Sequence, residues 1–323
     1  MYNKFSIIIP NYNGQEIIKE NIPSIIRLSQ KYNAPIIIGD DCSQDDSINI
    51  LINQFKFTPV NENEKPPKEN KRILIIKSKN EGFSSNVNLC ISYALTPLVL
   101  LLNTDVLPRE DAIDPLFPYF EDEKTFAVGM VDFDDKNNTH GRGKFIFHEG
   151  FLLHNKTEIV ANGSEKITTG WVSCGSGMFS RKIWNDLGGL DPLFNPFYFE
   201  DVDIGYRSWK QGYKNYVEPK AICTHLHKKG AIKKNFNEEQ IKTISYRNQF
   251  IFNWKNISDS DLIAKHLASL PRQILISIKN NDRPFLKGLL NAIKLWSKIR
   301  NSRLSKINQY IKTDNEIIAS LKL

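Results

Sequence analysis

Cysteine is sparse in this 323-residue chain, with four residues in all. Cys42, Cys90, Cys174 and Cys223 stand far apart, without the close pairs that hold zinc or carry redox exchange, so they read as small buried thiols. Also missing is any apolar run approaching the roughly 20 residues that span a bilayer. The opening Met1-Tyr2-Asn3-Lys4-Phe5 enters a strand at once, with no signal-peptide pattern. These absences predict a cytoplasmic location, where Asn-x-Ser/Thr triplets such as Asn162-Gly163-Ser164 are chance matches to the glycosylation pattern. No helix-turn-helix, zinc or RNA-binding signature occurs, so nucleic acid is not an expected partner. No Gly-rich, basic phosphate loop follows Ile9, which argues against nucleotidyl transfer.

The formal net charge of +7 is unevenly distributed. Residues 1–225 hold 24 basic and 29 acidic groups, net −5, whereas residues 226–323 hold 19 and 7, net +12. A chain of this length exceeds the usual single domain, and the charge break suggests a main domain over 1–237 followed by a basic helical tail over 238–323.

The first hundred residues alternate apolar runs with amphipathic segments, the pattern of βαβ units around a mostly parallel, Rossmann-like sheet. Strands are expected at Phe5–Ile9, Pro35–Ile38, Ile73–Ile76 and Leu98–Leu102, and helices at Gln15–Gln30, Ser43–Phe55 and Ser84–Ala94. Thr58–Lys71, rich in Pro, Asn, Glu and Lys, reads as a solvated loop. Beyond, Phe126–Asp132 reads as a strand and His140–Asn155 as a loop-rich segment over the site. Ser180–Leu187 reads as a short helix ended by a left-handed cap at Gly188-Gly189. The tail is helical from Glu238, most clearly over Asp259–Ser269 and Arg283–Arg300, where Phe285, Leu289, Ile293, Trp296 and Ile299 recur at helical spacing.

Two acidic features stand out. Glu200, Asp201 and Asp203 fall within four residues, just after the aromatic run Phe197-Tyr198-Phe199. Carboxylates so close repel one another and are costly to bury, so they face water or serve a cation or a reacting proton. Asp105 ends Asn103-Thr104-Asp105 after the apolar run Leu98–Leu102, at the carboxyl edge of an α/β sheet, where ligands bind.

Together these segments resemble the inverting glycosyltransferases of family 2, which have the GT-A fold, over Phe5 to about Asn256. Ser6 to Asn13, containing Pro10 and Tyr12, resembles the opening strand and turn beside the nucleotide base. Gly39-Asp40-Asp41-Cys42-Ser43 resembles the turn whose first acid, Asp40, bonds the base; Asn80-Glu81-Gly82-Phe83 with Asn88 resembles the loop and helix bordering the nucleotide. Asn103-Thr104-Asp105 stands at the Asp-x-Asp metal motif, Glu200-Asp201 at the catalytic acid pair, and Pro219-Lys220-Ala221 with His225 at a strand that gives the metal a histidine in some members.

What the resemblance implies is transfer of a sugar from a nucleoside-diphosphate sugar to a glycan or lipid-linked acceptor, in bacterial surface polysaccharide synthesis. Asp105 and His225 would hold Mn2+ or Mg2+, Asn103 and Thr104 would line the donor, Asp201 would be the base, and Glu200 would contact acceptor or donor. Asn103 replaces the motif's first acid, as in rhamnosyltransferase-like branches, and leaves one charge fewer for the metal. Asp105 also reads as a turn cap, and the 200–203 acids as the exposed first turn of a helix. His225 and His227 would point to opposite sides of an extended segment, so one of them at most faces the metal. Trp171 and Gly175 resemble the segment beneath the acceptor, where Trp171 either stacks on sugar or fills the core; Asp203 falls on the acceptor side and would anchor through Arg207. The tail either lies on an anionic membrane, peripheral to the cytoplasmic face of the inner membrane, or packs on the domain with its charges solvated. The rival to an enzyme is a non-catalytic scaffold that keeps the nucleotide fold and binds partners through that tail.

Overall fold

The computed structural model describes residues 4–64, 70–133, 139–157, 159, 166–225 and 236–321. In chain order, β1 (Phe5–Asn11), α1 (Gln15–Tyr32), β2 (Ile36–Asp40), α2 (Ser47–Asn53), β3 (Thr58–Asn61), β4 (Arg72–Ile76), α3 (Phe83–Tyr93) and β5 (Leu98–Leu102) form the first half. Then come β6 (Val106–Pro108), β7 (Thr125–Phe133), β8 (Thr139–His140), β9 (Arg142–His148), β10 (Phe151–Thr157), β11 (Ile167–Thr168), β12 (Ser176–Ser180), α4 (Arg181–Leu187), α5 (Glu200–Lys210) and β13 (Lys214–His225). The tail holds α6 (Glu238–Asn256), α7 (Ser260–Lys279), α8 (Arg283–Lys294), α9 (Trp296–Leu304) and α10 (Asp314–Ser320).

The main sheet runs β11-β13-β7-β12-β5-β1-β2-β4-β3. β1, β2, β3, β4 and β5 are mutually parallel. β12 runs antiparallel to both β5 and β7, which makes β7, and β13 beside it, parallel to β5. The carboxyl ends of β1, β2, β5, β7 and β13 therefore lie along one edge, the ligand edge of open α/β sheets. β1 and β5 are apolar nearly throughout because helices cover both faces, and one buried cluster lies on each side of the sheet.

A third cluster joins the tail to the domain. Phe250, Ile251 and Phe252 of α6 share it with Phe145, Trp171, Phe199, Val202 and Tyr206. Burying side chains of this size contributes about 1.5–3 kcal/mol each, so α6 is part of the domain's core rather than a loose appendage.

Four segments differ from expectation. Helix α2 starts at Ser47, since Ser43 bonds Asp40 instead. Within 58–71, Thr58–Asn61 forms edge strand β3, parallel to β4. Residues 140–155 are mostly the antiparallel ribbon β9–β10, not loop. Its glycines hid the alternation: a Cβ on Gly143 would meet the Trp171 ring at 2.2 Å, and Gly150 turns at φ +84. The stripe over 283–300 breaks at Leu295, so Phe285 and Ile299 are buried while Ile293 and Trp296 stay half exposed. The cap after α4 is as expected, with Gly188 at φ 77 and Gly189 at φ 69.

Candidate active site

The acid pair is presented by a turn that the tail fastens. Tyr198 and Phe199, at φ 71 and φ 74, occupy the left-handed region that bulky side chains avoid. Asn248 of α6 compensates by donating its amide hydrogens to the Phe194, Phe197 and Tyr198 carbonyls at 3.0, 2.9 and 2.9 Å. α5 then begins with Glu200 and Asp201 at its amino end. Burial, then the neighbouring Asp201 charge, push the Glu200 carboxyl up to about 8, and its Oε2 is buried with no hydrogen-bond partner among the described residues. Burial also raises Asp201, against a 2.7 Å hydrogen bond from the Val202 amide and the positive charge of Lys156.

A proton is thus held more tightly by folded than by unfolded Glu200, whose ordinary value is 4.5. The unfolded chain loses that proton first, so stability falls as pH rises from about 4.5 to about 8. Glu200→Gln is expected to abolish that slope and to raise stability at pH 8 by a few kcal/mol, read from urea midpoints at both ends of the window. Equal slopes in both proteins would show that Glu200 is not buried as described.

Across the edge, the Asn103-Thr104-Asp105 turn is fixed at each residue. The Asn103 amide donates to the Gly175 carbonyl at 3.0 Å, and the Asn21 side chain of α1 donates to the Thr104 carbonyl at 2.7 Å. Gly175 lets the Asn103 side chain pack closely, since a Cβ there would come 2.4 Å from its side-chain nitrogen and push the Asn103 amide group aside. β6 then pairs with β13, placing Val106 opposite His225. The imidazole Nε2 lies 3.4 Å from Asp105 Oδ1 and Nδ1 lies 3.0 Å from Asp132 Oδ2. Burial opposes its charge, but the hydrogen bonds to Asp105 and Asp132 prevail and push it up to about 9. Asp132 was absent from the expected site; it lies near the end of β7 with no motif around it, and its only signal was lying towards the carboxyl end of a strand. His227 lies outside the described residues.

Among the described residues no three His, Cys, Asp or Glu side chains converge into a ready-made cage. The donor set nonetheless fits a divalent cation. Nδ1 held by Asp132 orients Nε2 towards Asp105, the carboxylate–imidazole arrangement that supports metal-binding histidines. Magnesium-type sites commonly take one or two protein ligands and complete the shell with substrate phosphates and water.

Several expected contacts belong to the scaffold instead. Asp40 is wholly buried, its Oδ1 accepting from the Ser43 amide at 2.8 Å and its Oδ2 from Asn11 and Ser43 side chains at 2.7 Å each, so it locks the β1–β2 turns and cannot reach a base. Asp41 organises the next loop, binding Lys77 at 2.6 Å and the Glu81 and Gly82 amides at 3.1 and 2.8 Å. Asn88 spends both ends of its amide on the Leu190 backbone, at 2.8 and 2.9 Å, and so stitches α3 to the segment before the acid pair rather than facing a nucleotide. Asp203 is also fully buried, accepting from Arg207 at 2.8 Å and Lys255 at 2.9 Å, so its carboxylate anchors α5 and opens onto no cleft. Trp171 is a core residue, edge-on to His154 at 5.4 Å. Pro10, half-buried near the end of β1, and Tyr12, exposed just after it, remain at the edge, and Gly82 at φ +86 lies against Asn195.

His154 carries no spacing signal in the sequence. It lies on β10, 4.6 Å edge-on to Phe199, and burial with Lys156 nearby lowers it to about 4, so it is a neutral imidazole beside the acids. The Asp105 turn and the acid pair come together around Ser173 to Gly175. Gly175 touches Asn103, while the buried Cys174 thiol is raised first by burial and then by the charges of Asp201 and Glu200.

A mostly parallel sheet whose carboxyl edge gathers Asp105 and His225, with a paired acid at a helix start, is the GT-A architecture of glycosyltransferases. The chain belongs to glycosyl transferase family 2, whose sequence model matches residues 6–188. It is 22% identical to a chondroitin synthase of Pasteurella multocida (strain Pm70) over 236 residues, 64% of this chain and 23% of that protein. It is 31% identical to an uncharacterized glycosyltransferase of Rickettsia felis over 154 residues, 47% of this chain and 23% of that protein. The chain therefore spans about a quarter of the length of these relatives. Among solved structures, a Pyrobaculum calidifontis mannosyltransferase in complex with GDP-Man and Mn2+ superposes with a TM-score of 0.53 at 14% identity, covering 94% of this chain and 88% of that one. S. aureus TarS 1-349 in complex with UDP-GlcNAc gives 0.54 at 14%, covering 98% and 91%.

Proposed function

We propose that the protein is an inverting glycosyltransferase that moves a sugar from a nucleoside-diphosphate sugar to a glycan or lipid-linked acceptor in the synthesis of bacterial surface polysaccharide. The observation that carries this reading is that Cys174, whose thiol feels the charges of Asp201 and Glu200, is followed by Gly175, which packs on Asn103 of the turn leading to Asp105 and His225. Asp201 takes the proton of the acceptor hydroxyl as that oxygen attacks the anomeric carbon, and the nucleoside diphosphate leaves from the opposite face with the electron pair of the broken bond. Glu200, still protonated near neutrality, keeps a second negative charge away from the base and offers a hydrogen bond to the sugar. Asp105 and His225 would hold Mn2+ or Mg2+, which when bound neutralises the diphosphate as a Lewis acid. A Pasteurella multocida chondroitin synthase and hyaluronan synthase among the relatives support the polysaccharide assignment.

Calorimetry with UDP, GDP and dTDP, with and without manganese, tests the reading. At least one nucleotide is expected to bind in a manganese-dependent way, and Asp105→Ala is expected to weaken that binding about ten- to a hundredfold. No nucleotide binding under any condition would leave the non-catalytic scaffold standing.

A further inference from the structure

The tail hairpin carries an apolar surface that the rest of the fold leaves uncovered. Helix α7 turns Leu262, His266 and Ser277 inward, while Leu267, Pro271, Leu275 and Ile278, spaced three and four apart, lie on its outer side. Leu267, Leu275 and Ile278 are 59%, 67% and 58% exposed. The turn at 280–282 leads into α8, which packs against α7 and exposes Leu290 and Ile293 by 58% and 51%, followed by Trp296 at 53%. Single exposed apolar side chains are ordinary, but six on a hairpin and at the start of the helix that follows it mark an interaction surface.

Charge identifies its partner. Residues 260–304 hold nine basic groups and two acidic ones. Lys265, Arg272 and Lys287 are matched by Asp261, Glu149 and Glu239. Lys279, Arg283, Lys294, Lys298 and Arg300 are exposed and take no ion pair among the described residues. A second copy of this chain would set this positive field against its like, whereas an anionic lipid surface complements the basic groups and the apolar stripe together. No described helix is long and apolar enough to cross a membrane, so the contact is one of lying on the surface.

We infer that the α7–α8 hairpin is a docking face for anionic membranes, with Leu267, Leu275, Ile278, Leu290 and Ile293 entering the boundary of the acyl chains and Trp296 at headgroup level. The lysines and arginines around them bind the lipid phosphates and confer the preference for negative headgroups. The inference concerns a surface apart from the acids, and its readout is binding, so it stands or falls separately from sugar transfer.

Co-sedimentation of the full chain with phosphatidylcholine vesicles, with and without phosphatidylglycerol, tests it at low and high salt. Binding is expected only with phosphatidylglycerol and is expected to weaken with salt. The Leu275→Glu/Ile278→Glu double variant is expected to lose at least about tenfold in vesicle affinity, and Lys294→Glu/Lys298→Glu to lose about fivefold or more per charge with a shallower salt dependence. Both variants alter exposed side chains, so unchanged thermal melting confirms that they fold. Absence of phosphatidylglycerol-dependent binding, or variants that bind like the wild type, would overturn the inference. So would light scattering that shows a wild-type dimer made monomeric by Leu275→Glu/Ile278→Glu, with no vesicle binding by either, since the apolar face would then belong to a second copy.

Discussion

Asp201→Asn is expected to lower turnover by roughly 10²–10⁴ while leaving the KM for the donor nearly unchanged. The substitution keeps shape and the ability to accept from the Val202 amide, whose bond to Oδ1 is 2.7 Å, so the start of α5 is not disturbed. What it removes is the basic oxygen, which acts only as the acceptor hydroxyl loses its proton, and an interaction confined to the transition state shows in kcat rather than in donor binding. The sign of the pH dependence follows from burial. A base of raised pKa is inactive when protonated, so the wild-type rate is expected to climb with pH through its ionisation, and the residual rate of the amide variant is expected to be flat over the same range. Release of nucleoside diphosphate from a donor identified by thermal shift is the measurement. A variant turning over within a few-fold of wild type would remove Asp201 from the chemistry.

Much of this architecture was legible because buried parallel strands and amphipathic helices leave strong local patterns. Leu98–Leu102 was readable as β5 to the residue, and the Gly188-Gly189 cap needed only the two glycines. The ribbon β9–β10 was not readable, because Gly143 and Gly150 answer to Trp171 and to a turn, demands made by residues distant in sequence. The same limit applied within the site. Asp105, Glu200 and Asp201 announced themselves by acid spacing and apolar flanks, whereas Asp132 and His154 matter only through the partners that folding brings to them. Asp40 shows the converse. Its position matched a motif, yet whether a carboxylate faces a ligand or its own backbone depends on where Asn11 and Ser43 place their donors, and no spacing rule encodes that.

Lys255→Met is expected to destabilise the protein by about 3–5 kcal/mol, the range for removing one partner of a buried ion network. Lys255 of α6 is buried between two carboxylates, with Nζ 2.7 Å from Asp191 Oδ2 and 2.9 Å from Asp203 Oδ2, and 5.2 Å from the centre of the Phe194 ring. Arg207 supplies the second cation, bonding Asp203 at 2.8 Å and the Leu187 and Gly189 carbonyls at 2.7 Å each. Two acids and two bases balance; without the lysine one negative charge is left over where water scarcely reaches. Burial alone would raise Asp191, but Lys255, with help from Ser302 and the Leu193 amide, holds it well below the usual 3.8, so its contribution is present above that value and is lost as pH falls below it. The methionine variant is accordingly expected to show a lower urea midpoint at pH 7 with an unchanged slope, and a smaller further loss on acidification than the wild type. Asp203 lies on α5 two residues after Asp201, and Asn248 on the same α6 fastens the turn before Glu200, so slackening α6 is expected to lower kcat as well as stability. Asp191→Asn in the Lys255→Met background should restore part of the lost stability, because it deletes the unmatched charge. If Lys255→Met cost less than about 1 kcal/mol, the range of exposed pairs, the tail would be an appendage rather than the support of the acid pair.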